Sequence, residues 1–250
     1  SAPTPMAQGF SINPEDLPEK GDPRDVEEMR SILGSLMYIQ VWSRPEIAFA
    51  VNYLARYTQR ADKTTIAAAR RILRYLSGTR HKGIRFKHHP KCALGPNSVK
   101  VFADTSDADC ELTSKSTGGF IITINDAPVV WKSGRLPLVT LSSAESEYVQ
   151  LTLACQEILH LREVLQTLGF EQAPTEIFED NQAAIAICNN PCHRSRTRHI
   201  KRRYHFIRQC IKDSEVYVTY VESRNNVADV FTKPLDEATF ERLAHRARND

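Results

Sequence analysis

The chain lacks any long hydrophobic run and any N-terminal targeting signal. No stretch of roughly 18 or more apolar residues occurs, which excludes a membrane-spanning helix. The N-terminus has no charged segment followed by an apolar one, so no signal peptide is indicated. We therefore expect no membrane among the partners of this chain.

Net charge and paired cysteines are also scarce. Thirty-three basic and thirty acidic residues leave a charge of +3, too small to indicate nucleic-acid binding unless the basic residues cluster. None of the six cysteines forms a C-x-x-C motif, which favours reduced thiols. A zinc site of Cys188, Cys192, His193 and His199 is the alternative, but adjacent Cys192 and His193 fit poorly into one tetrahedron.

The chain is long enough for more than one domain. Its 250 residues, 41% hydrophobic and 25% charged, predict a folded core. Prolines break up residues 1–22, which we expect to form an extended lead. Residues 23–90 show helical periodicity, and residues 97–250 alternate between strand and helix patterns. The first unit predicts three helices, beginning near Asp25, at Pro45 and after a Thr64 or Thr65 cap, and a short strand, Gly83–Lys87.

The second unit predicts an α/β fold, a mixed five-stranded sheet with flanking helices. Ser142 and Glu145 form a capping box before its long helix, in which Glu145 is expected to be solvated, and Gly169 ends that helix. The expected elements are strands at Ser98–Asp104, Gly118–Ile124, Pro128–Trp131, Thr175–Glu179 and Val216–Val221, and helices at Ser143–Leu168, Gln182–Cys188, His199–Lys212 and the C-terminus.

Four acids of this unit occupy unusual positions. Glu147 continues the apolar stripe of the long helix, where a lone carboxylate is costly; a solvated first-turn glutamate is the alternative. Asp104 ends the first strand, and Asp180 and Asp229 lie at helix starts, where a turn residue or an N-cap is the ordinary interpretation. If the four acids converge, they would bind Mg²⁺, and two such ions about 4 Å apart support phosphodiester hydrolysis.

Basic residues cluster in one segment of the second unit. Eight lysines and arginines and no acid lie between Arg194 and Lys212. A solvated helix face is the ordinary interpretation, but a run of one sign this dense favours an acidic partner such as a phosphate backbone. The candidate contacts are Arg194, Arg196, Arg198, Lys201, Arg202, Arg203 and Tyr204.

Recognisable motifs run along nearly the whole chain. The first unit contains SILGSLMYIQVWSRPEIAFAVNYLARYTQ and AAARRILRYLSGTRHKGIRF, and the second contains VFADTSDADCELTSKSTGGF, LSSAESEYVQL, FEDNQAAIAICNNP, RTRHIKRRYHFIR and NNVADVFTKPL. These motifs resemble copia-type (Pseudoviridae) LTR retrotransposon polyproteins: the first set is similar to the segment after the polymerase palm and the second set to the ribonuclease H domain. The paired aspartates of the polymerase are absent.

The resemblance implies a ribonuclease H-like α/β domain after a small helical thumb or connection region. Its catalytic acids match Asp104, Glu147, Asp180 and Asp229; Asp104 rather than Asp107 keeps the family spacing of twelve positions to Ser116. The implied activity is endonucleolytic cleavage of the RNA strand of RNA/DNA hybrids with two Mg²⁺ ions, or Mn²⁺ as substitute. The implied partners are the hybrid and the upstream polymerase domain, in a cytoplasmic virus-like particle or the nucleus.

The sequence departs from the family pattern at several positions. Asp107-Ala108-Asp109-Cys110 replaces an aromatic residue followed by Ala-Gly, and Arg194 and Lys201 stand where the family has a histidine and often an acid. Residues 222–226 contain no histidine, whereas cellular ribonucleases H have one there that assists turnover, so product release would rely on other groups. A catalytically degenerate module that binds hybrid or docks protein is the rival hypothesis, and a homo-oligomer is left open.

Overall fold

The chain folds into a helical N-terminal part and an α/β part that contact each other. The computed structural model describes residues 1–87, 98–106, 115–189 and 201–250, and only the backbone of residues 201–205. Within these ranges the N-terminal helices are α1 (Pro23–Trp42), α2 (Ala48–Ala55) and α3 (Lys63–Gly78). The α/β part contains β1 (Val99–Ser106), β2 (Thr117–Ile124), β3 (Ala127–Arg135), α4 (Ser143–Thr167), β4 (Thr175–Glu179), α5 (Gln182–Asn189), α6 (Lys201–Lys212), β5 (Val216–Tyr220) and α7 (Glu237–Arg248).

The N-terminal part differs from the sequence prediction in local detail. The side chain of Asp62, not Thr64 or Thr65, caps α3; Thr65 stands at the third helical position, where its hydroxyl accepts a hydrogen bond from the Asp62 N–H. The predicted strand Gly83–Lys87 is wrong, since this segment runs without a strand partner and the Arg85 N–H donates to the Arg248 carbonyl at 3.0 Å.

The lead of residues 1–22 has little regular structure but is well packed. Ala2, Met6, Ile12 and Leu17 are buried in the same core as the helices α1 to α3. The hydroxyl of Tyr53 accepts a hydrogen bond from the Ile12 N–H at 2.9 Å, which fixes the path of the lead over α2. The lead therefore contributes apolar surface to the N-terminal core.

The predicted mixed five-stranded sheet with flanking helices is confirmed. The strand order is β3-β2-β1-β4-β5; β1, β2 and β3 are antiparallel, whereas β4 and β5 run parallel to β1. Asn125 and Asp126 join β2 to β3 with φ angles of 53° and 67°, as a two-residue hairpin requires. The carboxyl ends of the neighbouring parallel strands β1 and β4 lie side by side at the same end of the sheet.

Helix α4 covers one face of this sheet. Leu151, Ala154 and Ile158 form a core with Val101 and Ile177 of the strands. Ser142 caps the helix, and Gly169, with φ of 87°, follows it in the left-handed region that favours glycine. Gly169 therefore ends the helix as predicted.

The C-terminal helix α7 connects the two parts. Phe240 and Ala244 are buried in the N-terminal core, and the fully buried Arg248 forms an ion pair with Glu46 at 3.1 Å. On the second face of the sheet, Ala48 of α2 joins a cluster with Ile121 and Phe231, among others.

The division into separate domains, residues 23–90 and 97–250, stays a prediction. No helix in the described ranges is long and apolar enough to cross a membrane.

Candidate active site

Asp104 lies near the end of β1, at the centre of the sheet. Its side chain is only 2% exposed, and one carboxylate oxygen accepts a hydrogen bond from the Thr232 hydroxyl. The backbone partners of Asp104 and Thr105 on β2 are Gly119 and Gly118. Two consecutive glycines thus stand opposite the acid and the residue after it, and a Cβ atom would point to a different face of the sheet at each.

These glycines allow two other segments to approach the sheet closely. A Cβ atom added at Gly118 would lie 2.1 Å from the Gln150 side chain of α4. One added at Gly119 would lie 2.4 Å from Cβ of Phe231. Both distances are far below van der Waals contact. At Gly119 the close atoms include the Phe231 backbone, so only glycine accommodates that segment, whereas at Gly118 the ends of the Gln150 and Leu136 side chains would have to move.

The Phe231 segment is the short 3₁₀ turn Val227–Phe231, which carries Asp229. The buried side-chain amide of Asn226 donates to the Ala103 carbonyl at 2.8 Å, and the Ser133 hydroxyl donates to the Phe231 carbonyl at 2.6 Å. These bonds fix the turn across β1 and β3. Asp229, 6% exposed, is thereby held beside Asp104.

Glu147 reaches the site from the first turns of α4. It is 4% exposed, and its Oε1 atom accepts a hydrogen bond from the Thr105 N–H at 3.0 Å. Glu145 is buried as well, contrary to the expectation that it is solvated, because its Oε2 atom accepts from the Leu141 N–H in the preceding loop. Glu145 therefore fixes the loop before α4, while Glu147 faces the sheet.

Asp180 completes the set at the end of β4 and belongs to two groups of acids. Oxygens of Asp104, Asp180 and Asp229 lie within 4.8 Å of one another, and so do oxygens of Glu147, Glu179 and Asp180. The four predicted acids are thus brought together, with Asp180 common to both groups. Their assignment as catalytic residues stays a prediction.

Two members of the site were missed in the sequence analysis. Glu179 is fully buried, and the alternation of Thr175, Ile177 and Glu179 along β4, all facing inward, was the signal that could have identified it. Lys233 places Nζ 2.8 Å from Oδ1 of Asp229 and 3.8 Å from Oδ2 of Asp104. Only the spacing of four residues from Asp229 could have indicated Lys233.

Burial dominates the electrostatics of the site. Loss of water raises the pKa of Asp104 to about 8, against the lowering effect of Lys233, and nearby Asp229 adds to the rise. Burial, followed by the charges of Glu179 and Asp104, raises the pKa of Glu147 well above its ordinary value. Burial lowers the pKa of Lys233, but Asp104 and Asp229 together raise it beyond its ordinary value. The acids destabilise one another's charged forms.

The donor set suits a hard divalent cation. Oε2 of Glu147 and Oε2 of Glu179 are buried and have no hydrogen-bond partner among the described residues. The five converging acids offer carboxylates, the ligands that Mg²⁺ and Mn²⁺ prefer, and a bound cation would satisfy these oxygens. The residues therefore fit the metal that the resemblance implies.

Most of the predicted basic contacts lie outside the described side chains. Arg194, Arg196 and Arg198 fall in an undescribed segment, and only the backbone of Lys201, Arg202, Arg203 and Tyr204 is described, at the start of α6. Farther along the run, the Arg208 side chain donates twice to the Ile187 carbonyl and so fastens α6 to α5.

The remaining undescribed segments also contain residues from the sequence analysis. Asp107 falls there, as do residues 88–97 at the boundary between the two predicted units and Cys192, His193 and His199 of the alternative zinc site. Cys188 of that site is a buried free thiol, as are Cys155 and Cys210.

The order and direction of the strands, with acids converging at the ends of β1 and β4, define a ribonuclease H-like domain. The Pol polyprotein of transposon TNT 1-94 from Nicotiana tabacum is 32% identical over 242 residues, covering 95% of this chain and 18% of the relative. That of transposon RE1 from Arabidopsis thaliana is 34% identical over 223 residues, covering 89% and 15%. The chain belongs to the family of copia-type Pol polyproteins.

The chain spans less than a fifth of the length of these relatives. No family model matches it. Among solved structures, the N-terminal ribonuclease H domain of a Mycobacterium tuberculosis protein is 12% identical with a TM-score of 0.42, covering 60% of this chain and 97% of that one. LC11-RNase H1 in complex with an RNA/DNA hybrid is 12% identical with a TM-score of 0.41, covering 56% and 98%.

Proposed function

We propose that this chain is a metal-dependent endonuclease that hydrolyses the RNA strand of RNA/DNA hybrids, as the ribonuclease H part of a retrotransposon reverse transcriptase. The observation that carries the proposal is the convergence of buried acids from four separate elements at adjacent strand ends. So many carboxylates without water are unfavourable unless cations bind there. Family membership supports the same activity.

Four acids would hold two Mg²⁺ ions, or Mn²⁺ in their place: Asp104, Glu147, Asp180 and Asp229. Bound ions would supply the Lewis acidity that activates a water molecule and stabilises the leaving oxygen. The Thr232 hydroxyl orients Asp104 and the Thr105 N–H orients Glu147, so both carboxylates are fixed before substrate binds. Cleavage would leave a 3′-hydroxyl and a 5′-phosphate.

The hybrid would be bound through its phosphates. The basic residues between Arg194 and Tyr204 would bind the phosphate backbone irrespective of the base sequence. The 2′-hydroxyls in the wide minor groove would identify the RNA strand. In the N-terminal part, two of the arginines on α3 already have protein partners: Arg70 pairs with Glu28, and Arg71 donates to the Thr4 carbonyl. We therefore assign the larger share of hybrid binding to the basic run.

The biological setting follows from the family. The chain would work beside the polymerase domain that precedes it in a longer polyprotein, inside a virus-like particle in the cytoplasm, with the nucleus as a second location.

A cleavage assay with labelled hybrid and Mg²⁺ or Mn²⁺ tests the proposal. We expect cleavage of the hybrid and none of duplex DNA. Asp104→Asn, Glu147→Gln and Asp180→Asn should each lower the rate by several orders of magnitude, because metal placement supplies most of the catalysis. Glu163→Gln, on an exposed part of α4, is the matched control.

Two results would contradict the proposal. Parent-like cleavage by any two of the three site variants would refute the assignment of the acids. Tight binding of the hybrid without cleavage by the parent chain would favour a degenerate binding module instead.

A further inference from the structure

Glu179 is a fifth acid in the candidate site, outside the set of four that the family resemblance implies. It is the last residue of β4, directly before Asp180, and its side chain is fully buried. An ionised carboxylate in such a place is costly unless cations or hydrogen bonds compensate it. The partners of its two oxygens therefore decide what Glu179 does.

A structural role accounts for only one of those oxygens. Oε1 accepts a hydrogen bond from the Asn181 N–H at 2.9 Å, which stabilises the turn between β4 and α5. Oε2 is buried and has no hydrogen-bond partner among the described residues, and no described lysine or arginine forms an ion pair with Glu179. An asparagine or glutamine would support the turn equally well without a buried charge.

A second buried oxygen without a partner lies in the same group. Glu147 binds Thr105 through Oε1, which leaves its Oε2 without a partner in the described residues. Oxygens of Glu147, Glu179 and Asp180 lie within 4.8 Å of one another. Glu147 and Glu179 thus each carry an unsatisfied oxygen, and with the carboxylate of Asp180 they offer a donor set that a hard divalent cation would complete.

The second group of acids, Asp104, Asp180 and Asp229, has a positive charge beside it. Asp104 and Asp229 share the ammonium group of Lys233, which lies 3.8 Å and 2.8 Å from their oxygens. The Glu147 group has no such cation in the described part of the chain. Its demand for a bound cation is therefore the stronger of the two.

We propose that Glu179 is a metal ligand: with Glu147 and Asp180 it forms one cation subsite, next to a second subsite formed by Asp104, Asp180 and Asp229. Asp180 is the residue common to both groups of acids. The choice of Mg²⁺ or Mn²⁺ as the cation rests on the proposed function, whereas the ligand role of Glu179 rests on its own contacts.

Titration of the full chain with Mn²⁺, followed by electron paramagnetic resonance and without nucleic acid, tests the proposal. Glu179→Gln retains an acceptor for the Asn181 N–H but removes the charge. We expect it to weaken one Mn²⁺ site by at least about tenfold and to leave the other in place, since one charged ligand of that subsite is lost. Glu176→Gln, on the opposite side of β4, is the matched control and should bind like the parent.

The metal-free stability separates a ligand from a structural residue. Glu179→Gln keeps the acceptor for the Asn181 N–H, so it should melt at the same or a higher temperature than the parent without metal and should gain less stability from Mn²⁺, because it removes a buried charge and a ligand together. A lower metal-free melting temperature with unchanged Mn²⁺ affinity in Glu179→Gln would overturn the proposal. If Glu179→Gln loses a Mn²⁺ site while the parent fails to cleave hybrid, the ligand role stands and the proposed function falls.

Discussion

The ammonium group of Lys233 lies between two acids of the candidate site, 2.8 Å from Oδ1 of Asp229 and 3.8 Å from Oδ2 of Asp104. Lys233 follows Asp229 by four residues at the end of the same turn, and the hydroxyl of Thr232 between them binds Asp104. The turn thus carries both an acid and the positive charge that partly neutralises it. In the absence of metal, Lys233 is the counter-ion of this subsite.

We predict that Lys233→Met raises the affinity of the chain for Mn²⁺ by about tenfold and lowers its metal-free melting temperature. The lysine repels a cation bound to Asp104 and Asp229, and without it the two carboxylates lose their counter-ion. Isothermal titration with Mn²⁺ and thermal melting measure the two effects. Lys132→Met, at an exposed position of β3, is the control. Weaker Mn²⁺ binding by Lys233→Met would show that the lysine assists the metal instead.

The raised pKa of Asp104 predicts a pH dependence of stability. Burial raises this pKa from 3.8 to about 8, so between these values the folded chain binds more protons than the unfolded one. The stability that protonation contributes is therefore complete below the lower value and is lost as the pH rises toward 8. We expect the metal-free melting temperature to fall over this range, and to fall less steeply in Asp104→Asn.

Addition of Mg²⁺ should reverse that trend. Metal binding requires ionised carboxylates, so the stabilisation by Mg²⁺ should be small near pH 5 and large near pH 8. Thermal melting at several pH values, with and without the ion, measures both dependences. A metal-free stability that increased between these pH values would contradict the buried, mutually repelling arrangement of the acids.

The pair of glycines opposite Asp104 and Thr105 gives a third prediction. Gly119→Ala should destabilise the chain by about 2 kcal/mol or more and weaken metal binding, because its methyl group would displace the turn that carries Asp229. Gly118→Ala should cost less, because its methyl group meets only the ends of the Gln150 and Leu136 side chains, which can move. Gly134→Ala is the matched control: no atom lies within 4 Å of its added Cβ, and we expect a change below about 0.5 kcal/mol.

Sequence patterns predicted much of the sheet and of the site because the relevant signals are local. Asp104 and Asp180 end strands with clear alternation, and Glu147 continues an apolar stripe that the structure buries along Leu151 and Ile158. The carboxyl ends of adjacent parallel strands meet by construction of the fold. The proximity of Asp104 and Asp180 therefore follows from the strand order, because β1 and β4 are adjacent parallel strands.

The errors arose where the path of a loop or the choice between neighbouring capping residues decides the outcome. Glu145 satisfies the local rules for an exposed first-turn residue, but the preceding loop folds over it and buries it. Asp62, Thr64 and Thr65 are all good N-cap residues, so capping propensity alone does not show that Asp62 caps α3. The position of Lys233 depends on the path of the turn after Asp229. This path is set by the contacts of Asn226 and Gly119 rather than by the sequence of the turn itself.

The contacts of α7 decide how a shortened chain will behave. The main core of the sheet consists of residues after 97, so a chain of residues 97–250 should still form the sheet and α4. Phe240, Ala244 and Arg248 of α7, however, would lose their partners in the N-terminal part, including Glu46. We therefore predict that the shortened chain folds with lower stability and with α7 loosened, which hydrogen exchange of α7 amides would detect.

The same shortened chain tests what the N-terminal part contributes to activity. If residues 1–90 provide a thumb-like grip on the hybrid, cleavage by the shortened chain should show a higher apparent KM with a similar limiting rate, because the metal site is intact. Steady-state rates over a range of hybrid concentrations, with Mn²⁺ affinity measured in parallel, separate binding from chemistry. Identical curves for the two chains would show that the N-terminal part is a passive tether. An insoluble shortened chain would show that both parts share one folding core, which would contradict a domain boundary between residues 90 and 97.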